Sequence, residues 1–161
     1  MSKLNQILKP ISPDYIGAYL DKGIQLYDVI EWILQYTGPA NITVLTFSIG
    51  EEFIRKIYQL KKAGKIESID VILDFKAIQK TEKLVRLAGN VFNSIEYAKT
   101  HAKILLIESD TYEVCVSGSQ NATRGNREEG GIITTDRKTV EKLNFEIQRI
   151  RKYGIYRGSS R

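Results

Sequence analysis

The sequence predicts one α/β domain with a mixed, largely parallel sheet and helices on both faces. Three observations lead there. Helix-like and strand-like segments alternate through residues 24–89, which is the pattern of strands joined by helical crossovers. Four short apolar segments then follow at close spacing before a last helix, so the middle two can form a hairpin and the sheet is expected to be mixed. Finally, 161 residues with 42% hydrophobic and 27% charged content suit a single globular core.

The elements follow from local pattern. In "IQLYDVIEWILQYT" (24–37), Leu26, Ile30, Ile33 and Leu34 share one helical face, and Gly38-Pro39 stops the helix. "NITVLTFSI" (41–49) is rich in β-branched residues and reads as a strand. A helix over 50–64 follows, with Ser48 and Glu51 placed for a capping box and Gly64 for the C-cap. "SIDVILDF" (68–75) is a second buried strand and "AIQKTEKLVRLAG" (77–89) a third helix. Short strands are expected at 95–98, 102–108, 112–117 and 130–135, the middle two as a hairpin. The helix over 137–152 carries Val140, Leu143, Ile147 and Ile150 on one stripe. The tail from about 154 to 161 is expected to be loose. Trp32 and Tyr36 lie on a packing helix and read as core or interface.

Composition narrows the function classes. No apolar run approaches the roughly 20 residues of a membrane span. The opening "MSKLNQILKPISPD" shows no signal-peptide pattern, so a cytoplasmic protein without membrane contact is expected. One cysteine, Cys115, excludes an intrachain disulfide and reads as a buried thiol. One histidine and one cysteine do not make the usual zinc sets, and no cofactor is expected. A net charge of +5 is compatible with a nucleic-acid partner. The helix cations Lys61, Lys62, Lys65, Lys80, Lys83 and Arg86 read as a solvated face. The tail cations Arg149, Arg151, Lys152, Arg157 and Arg161 read as solvated or as a phosphate-contacting arm.

The chemistry concentrates in "HAKILLIESDTYEVCVSGSQNATRGNREEGG" (101–131). The single histidine, His101, stands two residues before Lys103 at the start of an apolar run. In a strand those two side chains share a face, presenting an imidazole beside an ammonium. Gly118 permits close backbone approach, and Ser119 and Asn121 offer a hydroxyl and an amide from a turn. A nucleophile, a cation, neutral donors and a carboxylate can converge on one phosphate. Arg124 and Arg127, in the motif loop, are candidates for contacts to the substrate backbone.

The run "HAK", then "GSQN", then "NREEGG" resembles the H-x-K…G-S-x-N…N-x-E signature of the phospholipase D superfamily. The order of the preceding strands and helices is similar to that of a single-motif half of the family. The resemblance implies phosphodiester transfer through a phosphohistidine. His101 would be the nucleophile, Lys103 and Asn121 would hold phosphate oxygens, and Ser119 would support them. Glu128, chosen over Glu129 because N-x-E-x-G matches Asn126, Glu128 and Gly130, would orient the partner histidine. The family commonly has Asp five residues after the lysine. Here that position is Glu108, with Asp110 two residues on, and either or neither could serve.

The expected function is a metal-independent nuclease acting on nucleic acid, DNA before RNA. A catalytically silent nucleic-acid-binding module and a lipid phosphodiesterase are the alternatives. The mechanism needs two imidazoles and the chain has one, so a homodimer with a shared active site is expected.

Overall fold

The computed structural model describes residues 2–158. One seven-stranded sheet runs in the order β1-β7-β6-β5-β2-β3-β4. Its strands are β1 (Ile16–Lys22), β2 (Ala40–Thr46), β3 (Ile66–Asp74), β4 (Ser94–Ala98), β5 (Ile104–Glu108), β6 (Glu113–Gly118) and β7 (Glu128–Thr134). The helices are α1 (Lys3–Ile7), α2 (Leu26–Thr37), α3 (Glu51–Lys62), α4 (Ile78–Ala88) and α5 (Arg137–Arg149).

The sheet is mixed, as expected, but not largely parallel. Only β2–β3 and β3–β4 pair parallel. The pairs β1–β7, β2–β5, β5–β6 and β6–β7 are antiparallel. The reason lies in the connections: α3 and α4 carry the chain between neighbouring strands, α2 carries it from the edge strand β1 to the non-adjacent β2, and the links from β4 to β5 and from β5 to β6 are too short for a crossover. The β5–β6 hairpin forms as read from the sequence.

Helices cover both faces. On one, α1, α2, α3 and part of α4 bury Leu4, Trp32, Ile33, Phe53 and Ile57 against Val44, Val71, Leu105 and Ile133. Trp32 is fully buried, and its indole N–H donates to Asn5 Oδ1 at 2.8 Å. On the other, α5 packs Val140 and Ile147 over Leu45, Ile72, Leu106 and Cys115. Burial pushes the Cys115 thiol up to about 11, which keeps it protonated and inert. No helix among the described residues is long and apolar enough to cross a membrane.

The first 23 residues, for which no element is read from the sequence, contain α1 and the edge strand β1. Helix α3 is capped by Gly50 without any side-chain cap, because Ser48 lies two residues before the cap position. At the start of the tail, Ile155 forms a bridge with Ala98, and Tyr156 N–H donates to the Tyr97 carbonyl at 2.6 Å. Arg161 lies outside the described residues.

Candidate active site

The carboxyl ends of the parallel strands β2, β3 and β4 define one edge of the sheet. Antiparallel pairing brings the start of β5, the end of β6 and the start of β7 to that same edge. Ligands of open α/β sheets bind outside this end. His101, Lys103, Ser119, Asn121 and the Glu128–Glu129 pair lie there.

His101 and Lys103 sit just ahead of β5, not within it, since the ladder begins at Ile104. The segment stays tied to the sheet, because Gly118 N–H donates to the Lys103 carbonyl at 3.2 Å. His101 is exposed, with its ring 5.1 Å from that of Phe47 at the end of β2. Lys103 is half-buried, and its ammonium donates to the His101 carbonyl at 3.2 Å. The approach to His101 is fixed by Asp74 at the end of β3. Its buried carboxylate accepts from Thr100 N–H at 3.0 Å and Lys76 N–H at 2.9 Å.

Asn121 is placed from the same strand end. Its Oδ1 accepts from Phe47 N–H at 3.2 Å and lies 3.4 Å from the Thr46 hydroxyl. That hydroxyl also accepts from Ala122 N–H at 3.0 Å. Phe47 thus touches both His101, through its ring, and Asn121, through its backbone.

Ser119 joins the β6 end to β7. Its N–H donates to the Gly130 carbonyl at 2.9 Å, and its Oγ accepts from Gly130 N–H at 3.0 Å. The same hydroxyl donates to the carboxylate of Glu129. Glu128, favoured by motif spacing, is exposed and stands opposite Lys22 on the outer strand pair. Neighbours on a strand point to opposite faces, so of the two adjacent glutamates it is Glu129 that reaches Ser119.

Glu108 and Asp110 do not reach the site. Glu108 ends β5 opposite Glu113, five residues and therefore roughly 17 Å of strand from Lys103. Burial, and then the Glu113 charge, raises its carboxyl above the usual range. Asp110 lies in the exposed turn beyond it. Of the two arginines, Arg124 is ion-paired to Glu52 of α3 at 3.3 Å and remains exposed. Arg127 is exposed, and its carbonyl accepts from Gly23 N–H at 3.1 Å. The tail arginines are largely committed elsewhere: Arg149 pairs with Glu146, and Arg151 with Asp70 and Glu96.

Gln120 is the residue whose importance the motif concealed. It is buried, accepting from the Tyr19 hydroxyl at 2.5 Å and donating to the Ile24 carbonyl at 3.1 Å. Burial pushes the Tyr19 phenol up to about 12, so it remains a donor at any ordinary pH. This anchor alternates with Ser119 and Asn121, which face the open edge. Gly118 serves packing here. A Cβ there would lie 2.8 Å from the Gly130 carbonyl oxygen. Gly118→Ala is therefore expected to part β6 from β7 and cost about 1–3 kcal/mol, read as a lowered midpoint in thermal or urea denaturation.

No protein-family model matches the chain, and no curated protein matches it by sequence. Solved structures do. NucT from Helicobacter pylori superposes with a TM-score of 0.62 at 14% identity, covering 88% of this chain and 99% of its own. Nuc from Salmonella typhimurium, a phospholipase D family member, superposes at 0.60 with 16% identity, covering 89% of this chain and 100% of its own. TrmBL2, an archaeal chromatin protein described for a novel mode of DNA binding, gives 0.55 at 11% identity, over 85% of this chain and 52% of its own. The chain therefore has the fold that its motif residues led one to expect, that of the phospholipase D superfamily.

Proposed function

We propose that this chain is a phosphodiesterase of the nuclease type, working through a phosphohistidine at a site shared by two copies. One observation carries the reading: His101, Lys103, Asn121 and the Ser119–Glu129 pair occupy one edge of the sheet, joined through Phe47 and Gly118. In the proposed reaction an imidazole nitrogen of His101 attacks phosphorus. The bond to the leaving oxygen breaks, and that oxygen takes a proton from a second imidazolium. The second imidazole, now neutral, takes a proton from water. The resulting hydroxide displaces His101 from phosphorus and releases a phosphomonoester. Lys103 and the Asn121 amide offset charge on the non-bridging oxygens. Glu129, held by Ser119, takes the role of orienting carboxylate.

The second imidazole is His101 of the partner subunit, since the chain has one histidine. The face of β1 and β7 not covered by α5 suits such a partner. Ile16 and Leu20 are 71% and 74% exposed there, with Ile132 beside them. A twofold axis along the strands over this face would bring both catalytic edges to one end. Co-refolding wild type with His101→Ala at mutant fraction f tests this. Activity per total protein is expected to fall as the square of (1 − f). A straight line, or an active monomer, would end the shared-site reading.

The chemistry is tested by cleavage of plasmid and oligonucleotide in excess EDTA, with trapping of labelled phosphorus on His101. Persistent cutting and label on His101 are expected; loss of cutting on chelation would sink the mechanism. A DNA-binding module without turnover is the second reading, favoured by the fold shared with the archaeal chromatin protein. Gel shift without cleavage, unchanged in His101→Ala, would establish it instead.

A further inference from the structure

Three aromatic rings stand along the catalytic edge, one beyond the end of each parallel strand. Phe47 follows β2 and Phe75 follows β3. The end of β4 supplies no aromatic of its own. There the returning tail does so, with Ile155 bridging Ala98 and Tyr156 hydrogen-bonding to Tyr97. The Tyr156 ring lies 5.2 Å from that of Phe75 at 34°, and the Lys99 ammonium lies 5.8 Å from the Phe75 centroid. Phe47, at the other end of the row, lies against His101.

Such a row is not core packing. Tyr156 is 40% exposed, Phe47 and Phe75 are half-buried, and Lys76, Lys99 and Arg157 are exposed. Among the described residues none of these three cations is ion-paired, in contrast to Arg149 and Arg151. Lys99 is only two residues from His101. A chain lying along the edge would therefore run from the rings directly to the nucleophile.

We infer that Phe75 and Tyr156, with Lys76, Lys99 and Arg157, form a platform for single-stranded nucleic acid that leads its backbone to His101. The reasoning is chemical. Exposed aromatic faces stack on unpaired bases of any identity, while unpaired cations between them hold the phosphates. In a duplex both faces of each base are already stacked on neighbours, so backbone and groove edges are offered but no free base face. The inference rests on the proposed site taking nucleic acid, and it names the substrate class as single-stranded.

Binding separates this from the catalytic reading. In the His101→Ala background, anisotropy is measured with a labelled oligodeoxythymidine, an abasic oligomer of equal length and a matched duplex. The thymidine strand is expected to bind tightest. Tyr156→Ala should weaken it about tenfold, leave the other two unchanged, and be matched by no such loss in Tyr156→Phe. An unchanged thymidine affinity in Tyr156→Ala would overturn the platform. So would equal weakening of all three probes, which would mark loss of tail docking or of backbone contact. Wild-type cleavage that ignores Tyr156→Ala rejects the platform and keeps the nuclease. Tyr156-dependent binding without cleavage by wild type keeps the platform and rejects the nuclease.

Discussion

His101→Ala is expected to lower turnover by at least about 10 000-fold, as removal of a nucleophile does elsewhere. The loss follows from the proposed covalent step, because alanine offers no atom to accept phosphorus. The fold should be untouched. His101 is exposed, its ring meets Phe47 at the rim, and the surrounding segment is held by Asp74 through the Thr100 backbone. The measurement is single-turnover cleavage of a labelled oligonucleotide beside a thermal melt. Near-normal melting with no detectable product is the expected pair. Partial activity with a large drop in melting temperature would show that the imidazole serves packing rather than chemistry.

The second largest effect is expected from Lys103→Ala, at about 100- to 1000-fold in turnover. In the proposed reaction the ammonium offsets the charge that grows on the non-bridging oxygens as phosphorus is attacked. In the structure it is pre-positioned by the His101 carbonyl, 3.2 Å away, so little rearrangement is needed. A preorganised cation at a partly desolvated rim acts on the transition state more than on the ground state. The loss should therefore appear in kcat more than in KM. Lys103→Arg should recover only part of it, because the guanidinium fork cannot occupy the same point. A loss confined to KM would make the lysine a binding contact only, and an unchanged rate would remove it from the site.

Much of the site was legible because its signals are local. An imidazole and an ammonium two residues apart, and a Gly-Ser-x-Asn turn after a strand, keep their relation in any extended chain. The helices were legible for a similar reason: apolar stripes on α2, α3 and α5 reflect one buried face each. Strand β1 was not, since its alternation runs against the usual sense. Ile16 and Leu20 face outward while Tyr19 turns into the core. The Ser119–Glu129 contact was not legible, because two adjacent glutamates carry the same local signal. The choice rests on the pairing of Gly118 with Gly131 across β6 and β7.

By itself the sequence determined the residue types of the candidate site, their order and the helices α2 to α5, since these depend on neighbours within a turn or two of chain. It also determined that one chain holds only one imidazole. Only the tertiary structure decided which pairs are antiparallel, which glutamate meets Ser119, and how Gln120 is locked by Tyr19 and Ile24. It alone set Tyr156 beside Phe75, 81 positions earlier in the chain. The physical reason is that strand register and sheet order come from closing long loops over one shared core. That closure is selected by total burial and hydrogen-bond satisfaction, not by any single segment's preference.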